Sequence, residues 1–333
     1  MRNHLGTTYS RKIWIFIGAV MLGLHFVPML IPGSLHLLIM MLLFAVMGQG
    51  WNILGGYAGQ ASFGHTIFFG LGAYTSTLLF IRLGLSPWIG MLLSVGVAVI
   101  IGLIIGALTF KYGLKGPFFA LTMLACAEIF FMVCQGVEWT GGSQGLLIPL
   151  EGNNVIYMQF ISKTIFYYIA LWLTAASLYI VFRIENTRMG YYFMAVREDH
   201  EAAEALGVDC YRVQLMAMAF SAGMTAICGT VYAQYLLYID PDSVFGILNS
   251  IEIMLRPIIG GAGTIFGPLL GSAILTPLSE FSRLAFQSYS GVYLMWYGLI
   301  LIAAIIFMPN GFVGLIKSIF NKYYRKERIV NER

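Results

Sequence analysis

Long apolar runs separated by short polar breaks make up most of this chain. A hydrocarbon core about 30 Å thick takes roughly 20 residues of helix to cross. Runs of that length predict ten transmembrane helices, near 13–31, 35–54, 61–81, 88–110, 117–135, 164–183, 213–236, 244–261, 265–283 and 291–309. Two of the breaks are longer than a turn. The break at 136–163 is mixed and glycine-bearing, and the break at 184–212 holds more charge than any other break between runs, with Arg197-Glu198-Asp199-His200-Glu201-Ala202-Ala203-Glu204-Ala205-Leu206-Gly207 at its centre. This stretch reads as a short helix. Asp199 is a good N-cap, acidic residues crowd the first turn, alanines fill the body, and Gly207 suits a left-handed stop. A helix of two turns is marginal alone in water, so it is expected to dock on a surface.

Composition agrees with the pattern. The 333 residues are 59% hydrophobic and 10% charged, whereas an ordinary soluble domain is about 45–50% apolar and about 25% charged. The expected fold class is an all-α polytopic membrane protein embedded in a lipid bilayer, and the 38 glycines fit it, because small residues let membrane helices approach closely. Lys and Arg set the orientation. With the N-terminus inside, fifteen of the nineteen fall on the cytoplasmic side, three (Arg82, Lys163, Arg283) fall outside, and Arg256 lies within a span. Both termini are therefore expected in the cytoplasm. Arg2, Arg11 and Lys12 precede the first run as they would in a signal peptide, but no small-x-small site closes it, which predicts an uncleaved first helix.

The domain plan follows from these breaks: a cytoplasmic segment 1–12, a membrane domain 13–316 and a basic tail 317–333. Within the membrane domain, 13–135 and 164–316 form two halves around an external segment 136–163, with 184–212 a cytoplasmic loop. Five spans in each half would place the halves upside down relative to each other, the inverted-repeat plan of transporters. A weak echo supports it: Gly59-Gln60-Ala61-Ser62-Phe63-Gly64 opens the third span, and Gly261-Ala262-Gly263-Thr264-Ile265-Phe266-Gly267-Pro268 joins the eighth to the ninth.

Candidate chemistry is sparse. Ionisable groups inside a membrane are usually functional, and the apolar spans hold very few, chiefly Glu128, Glu252, Arg256 and the weakly polar His65. No carboxylate relay crosses the membrane, and no GxxxxGK[ST] loop is present to hold ATP. His200-Glu201-Ala202-Ala203-Glu204 has Glu where a zinc protease helix requires His, so neither a metal nor another cofactor is expected. Cys126, Cys134, Cys210 and Cys228 contain no CxxC pair and read as structural. No catalytic residues can be assembled, and the net charge of +4 reflects sidedness rather than a nucleic-acid partner. A transporter without its own coupling machinery borrows energy from a partner or works passively.

At this point the residues resemble a known family, the LivM-type permeases of bacterial ABC importers of branched-chain amino acids. The resemblance runs from about 35 to 316. It rests on Gly55-Gly56-Tyr57-Ala58-Gly59-Gln60-Ala61-Ser62-Phe63-Gly64-His65, Gly70-Leu71-Gly72-Ala73-Tyr74, Phe119-Ala120-Leu121-Thr122 with Ala127-Glu128-Ile129, and Thr140-Gly141-Gly142-Ser143-Gln144-Gly145-Leu146. In the second half it rests on Glu201-Ala202-Ala203 with Gly207, Gly260-Gly261-Ala262-Gly263-Thr264 with Gly267-Pro268, and Pro309-Asn310-Gly311-Phe312-Val313-Gly314. The resemblance implies an inner-membrane permease that works with a LivH-type second permease, two ATP-binding subunits and an extracytoplasmic solute-binding protein. It also implies that Glu201, Ala202, Ala203 and Gly207 form the coupling helix that docks on an ATP-binding subunit, and that Thr140–Gly145 lies at the outer face.

The residues leave two readings open for the glycine stretches. Either they are packing faces, or their exposed backbone lines the path with Gln60, Ser62, His65, Gly261 and Gly263 beside it. Arg256-Pro257 departs from the apolar pair the resemblance leads one to expect, and Glu252, one turn earlier, is the expected ion-pair partner. The same machine carrying urea, a short amide or another amino acid is an alternative, as is a stand-alone channel or ion-coupled carrier.

Overall fold

The computed structural model describes residues 32–286 without interruption, with short pieces at 23–25, 27–28, 291, 295–296, 298–299, 302, 306 and 311–314. Its long helices are α1 (Leu35–Trp51), prolonged by a π-helical turn over Asn52–Tyr57, then α2 (His65–Leu83), α3 (Pro87–Lys111), α4 (Pro117–Gly136) and α5 (Lys163–Glu185). Two short helices follow, α6 (Arg188–Glu198) and α7 (His200–Ala205). The chain then forms α8 (Cys210–Leu236), α9 (Pro241–Phe245), α10 (Ile247–Gly261) and α11 (Gly267–Ala285).

Among the described residues, seven segments are long and apolar enough to cross a membrane: Leu35–Tyr57, α2, α3, α4, α5, α8 and Pro241–Gly261. The chain is thus an all-α polytopic membrane protein. The run expected at 265–283 is a helix, α11, but Glu280, Arg283 and the serines at 272, 279 and 282 dilute it, and it is not one of the seven. The run expected at 244–261 is split at Gly246 into α9 and α10. Those expected at 13–31 and 291–309 lie largely outside the described residues. A second difference is α6, a helix within the 184–212 segment expected as a cytoplasmic loop. Its Gly190, Phe193 and Val196 are buried at three-residue spacing, one helical face set on the bundle.

Burial shows which helices are central. The apolar window of Leu35–Tyr57 is 78% buried, while those of α3 and α4 are 28% buried and so lie at the periphery. Leu35–Tyr57, the first of these seven spans and the second of the ten runs in the sequence, packs on α5, α8, α10 and α11, and α8 also carries α2 and α3. The contact between α2 and α8 is backbone on backbone. A Cβ at Gly229 would lie 2.6 Å from the Ala73 nitrogen, and one at Gly72 would overlap the Ala226 carbonyl, so glycine at both positions is what allows the crossing.

The bundle has two chemically distinct ends. At one end α3 begins under the 137–162 segment, with Ser86 Oγ donating to the Ile156 carbonyl at 2.5 Å and Trp88 Nε1 to the Val155 carbonyl at 2.8 Å. There the short antiparallel pair β1 (Leu146–Leu147) and β2 (Tyr238–Ile239) joins this segment to the turn after α8, with Leu146 opposite Ile239 and Leu147 opposite Tyr238. At the other end the π turn, α6, α7 and the 262–266 loop meet.

Candidate functional site

The second end contains most of the residues singled out in the sequence. As α1 widens into its π turn, the carbonyls at the end of the helix run out of intrahelical donors. Arg197, at the end of α6, takes one of them: its Nη1 donates to the Gly56 carbonyl at 2.7 Å. A cation at a helix C-terminus also complements the helix dipole. The Arg197 side chain lies over Gly59, and its Nη2 pairs with the exposed Glu198 at 2.9 Å.

The 262–266 loop docks on the same turn. Asn52 Oδ1 accepts from the Gly263 amide at 2.7 Å, Asn52 Nδ2 donates to the Thr264 carbonyl at 2.9 Å, and Gln49 Nε2 donates to the Ile265 carbonyl at 2.5 Å. Gly263 has φ of +72°, a conformation that favours glycine, and this aims its amide at Asn52. The two glycine stretches, distant in sequence, are thus one junction. Gln49, Asn52 and Arg197 build it, and none of the three stood out beforehand: amide side chains in an apolar run carry no spacing signal that names a distant loop as partner.

Residues 199–207 form the short helix their capping signals predict. Asp199 Oδ1 accepts from the amides of Glu201 and Ala202, both at 3.0 Å. Gly207 ends the turn with φ of +85°. Ala203 is buried as a member of the main apolar core, while Glu201, Ala202, Glu204, Ala205 and Gly207 are exposed, and so is Leu206, at 85%. One small residue therefore seats α7 on the bundle, and the rest of its surface faces outward.

His200 Nε2 stands 3.4 Å from Glu204 Oε1, and these two with Cys210 bring three possible metal-ligand atoms within 4.8 Å. The Cys210 thiol donates to the His200 carbonyl at 3.6 Å. The group is accounted for by α7 resting on the start of α8.

The candidate path residues divide. His65 and Ser62 are fully buried: His65 Nε2 lies 2.6 Å from Ser221 Oγ, and Ser62 Oγ accepts from the Gly64 amide at 3.2 Å. Gln60 is nearly buried, and its Oε1 has no partner among the described residues. Gly261 packs beside Val313, while Gly263 belongs to the junction. Arg256 is 1% exposed, pairs through Nη2 with Glu252 Oε2 at 3.0 Å, also donates to the Glu252 carbonyl, and lies 3.5 Å above the Phe44 ring. Phe44 gives the guanidinium an aromatic face, a second source of compensation at membrane depth.

A bundle of seven apolar spans with buried polar groups between them is that of a multi-pass membrane protein. The chain belongs to the family described as the permease component of the branched-chain amino acid transport system, whose model matches residues 33–308. It is similar to the high-affinity branched-chain amino acid transport system permease protein LivM of Salmonella typhimurium, at 26% identity over 94% of this chain and 77% of that protein. Its similarity to LivM of Escherichia coli is 25% over the same shares, and to the permease protein LivH of Salmonella typhimurium 22% over 81% of this chain and 91% of that one. No solved structure matches it.

Proposed function

We propose that this chain is the LivM-type permease subunit of an ATP-driven importer that carries branched-chain amino acids across a bacterial inner membrane. A LivH-type second permease completes the path, two separate ATP-binding subunits hydrolyse ATP, and an extracytoplasmic binding protein delivers and selects the solute. Ten spans in two inverted halves, with both termini in the cytoplasm, complete the architecture. The outward face of α7, with Glu201, Ala202 and the exposed Leu206, docks on an ATP-binding subunit. Ala203 and Gly207 let it seat closely and end sharply.

The observation that carries this reading is the hydrogen bond from Arg197 to the Gly56 carbonyl, two residues from the N-cap of α7. Movement of α7 driven by ATP reaches the π turn of the first span through Arg197, and from there the 262–266 loop through Asn52. The junction thus joins the docking helix to both glycine stretches, and its displacement opens the path to one side or the other.

The test is uptake and ATPase activity of the complex in proteoliposomes. Glu201→Arg is expected to leave the chain folded and inserted but to abolish solute-stimulated ATPase, with loss of ATP-binding subunits in a detergent pull-down. Arg197→Met is expected to keep those subunits bound and still uncouple uptake. Normal uptake by Glu201→Arg, or uptake by this chain alone without ATP, would sink the importer reading.

A further inference from the structure

We infer that Glu128 lines a water-filled part of the translocation path and supplies the counter-charge for the ammonium group of the passing solute. The inference rests on the function proposed above. Glu128 is the twelfth residue of α4, about 16 Å along the helix from Pro117 and so near mid-membrane. It is half-buried, and among the described residues no hydrogen bond or ion pair reaches it. A carboxylate exposed to lipid at that depth costs at least about 2.5 kcal/mol on insertion scales.

Among the described residues no cation pairs with it at that level. Arg256 is the one Lys or Arg in the interior of the predicted spans, those at 13–31 and 291–309 included, since Arg183 and Arg283 stand at the last position of theirs, and Glu252 already pairs with it. The compensation for Glu128 therefore comes from outside the chain.

The face that carries Glu128 says what kind. Phe119, Ala120, Met123, Ala127 and Cys134 turn α4 into the bundle. Leu121, Ala125, Glu128 and Met132, at three- and four-residue spacing, lie on the opposite side, where Leu121 and Met132 are exposed. An apolar strip around one carboxylate complements a solute with a branched apolar side chain and an ammonium group. The carboxylate is what sets this face apart from one that meets only lipid. A binding protein that selects the solute leaves the path to do only this: offer a transient counter-charge without holding on.

The experiment places cysteine at the position, as Glu128→Cys in a chain whose four native cysteines are replaced, assembled into the complex in proteoliposomes. The probes are charged, water-soluble methanethiosulfonates. Reaction at 128, with a rate that changes several-fold between nucleotide-free and ATP-trapped complexes, supports the inference. Reaction only with a lipid-soluble maleimide, or with no reagent in either state, overturns it. Glu128→Gln supplies an independent readout: maximal uptake is expected to fall about tenfold with half-saturation, set by the binding protein, unchanged. If Glu128→Gln instead stops the second permease from co-purifying, Glu128 is an ion-pair partner in the interface and the inference fails. A complex whose ATPase is still coupled through Glu201 while position 128 labels from lipid would overturn this inference and leave the proposed function standing.

Discussion

Arg256 and Glu252 show how single residues settle their charge inside the bundle. The guanidinium is buried, with one carboxylate and one aromatic ring against it. Removing one member of such a pair leaves an uncompensated charge, at a cost of about 3–5 kcal/mol, whereas replacing both with apolar residues of similar volume is often neutral. Glu252→Leu is therefore expected to lower the yield of folded protein and its Tm in detergent sharply. The double variant E252L/R256M is expected to recover most of both. This pair was legible in the sequence, because four-residue spacing on a helix brings the groups together wherever the helix lies. Phe44 was not legible: it comes from another helix, and nothing in its own neighbourhood distinguishes it from other apolar residues.

At the scale of elements, the parts that announce themselves are those whose signals are local. Asp199 and Gly207 bound α7 through their own backbone geometry, and the sequence alone marks both ends. Loss of the cap in Asp199→Ala removes two hydrogen bonds to the backbone and is expected to cost about 1 kcal/mol. Amide exchange of residues 200–207 should accelerate roughly fivefold, while the spans keep their protection. In α6 three small or apolar residues, Gly190, Phe193 and Val196, form the buried face among tyrosines and charges, too short a pattern to separate from loop. The first span read as an unbroken helix, because nothing in Asn52-Ile53-Leu54-Gly55-Gly56-Tyr57 signals a π turn until the 262–266 loop is set beside it.

For the whole molecule, the apolar runs marked all seven of the described segments long enough to cross a membrane, because the bilayer imposes its thickness on every residue alike. The meeting of Gly56, Gly263 and Arg197 at one end is a property of the three-dimensional packing and has no sequence-local trace. The opposite end has its own tie, the pairing of Leu146–Leu147 with Tyr238–Ile239. A disulfide between Leu147→Cys and Tyr238→Cys is expected to form readily on oxidation, since the two residues face each other. It is expected to leave uptake unchanged, because the paired strands move as one body; arrested uptake would show that the 137–162 segment must part from the α8–α9 turn in each cycle.

The seating of α7 on Ala203 has a mechanical consequence. A single hydrogen bond to a charged group is worth about 1.5–3 kcal/mol, so a pull transmitted through Arg197 alone would snap before it did much work. The buried methyl group of Ala203 bears load in compression, and close-packed interiors yield little. In the importer proposed above, α7 therefore pushes rather than pulls: Ala203 takes the thrust, and Arg197 passes its direction to the π turn through the Gly56 carbonyl.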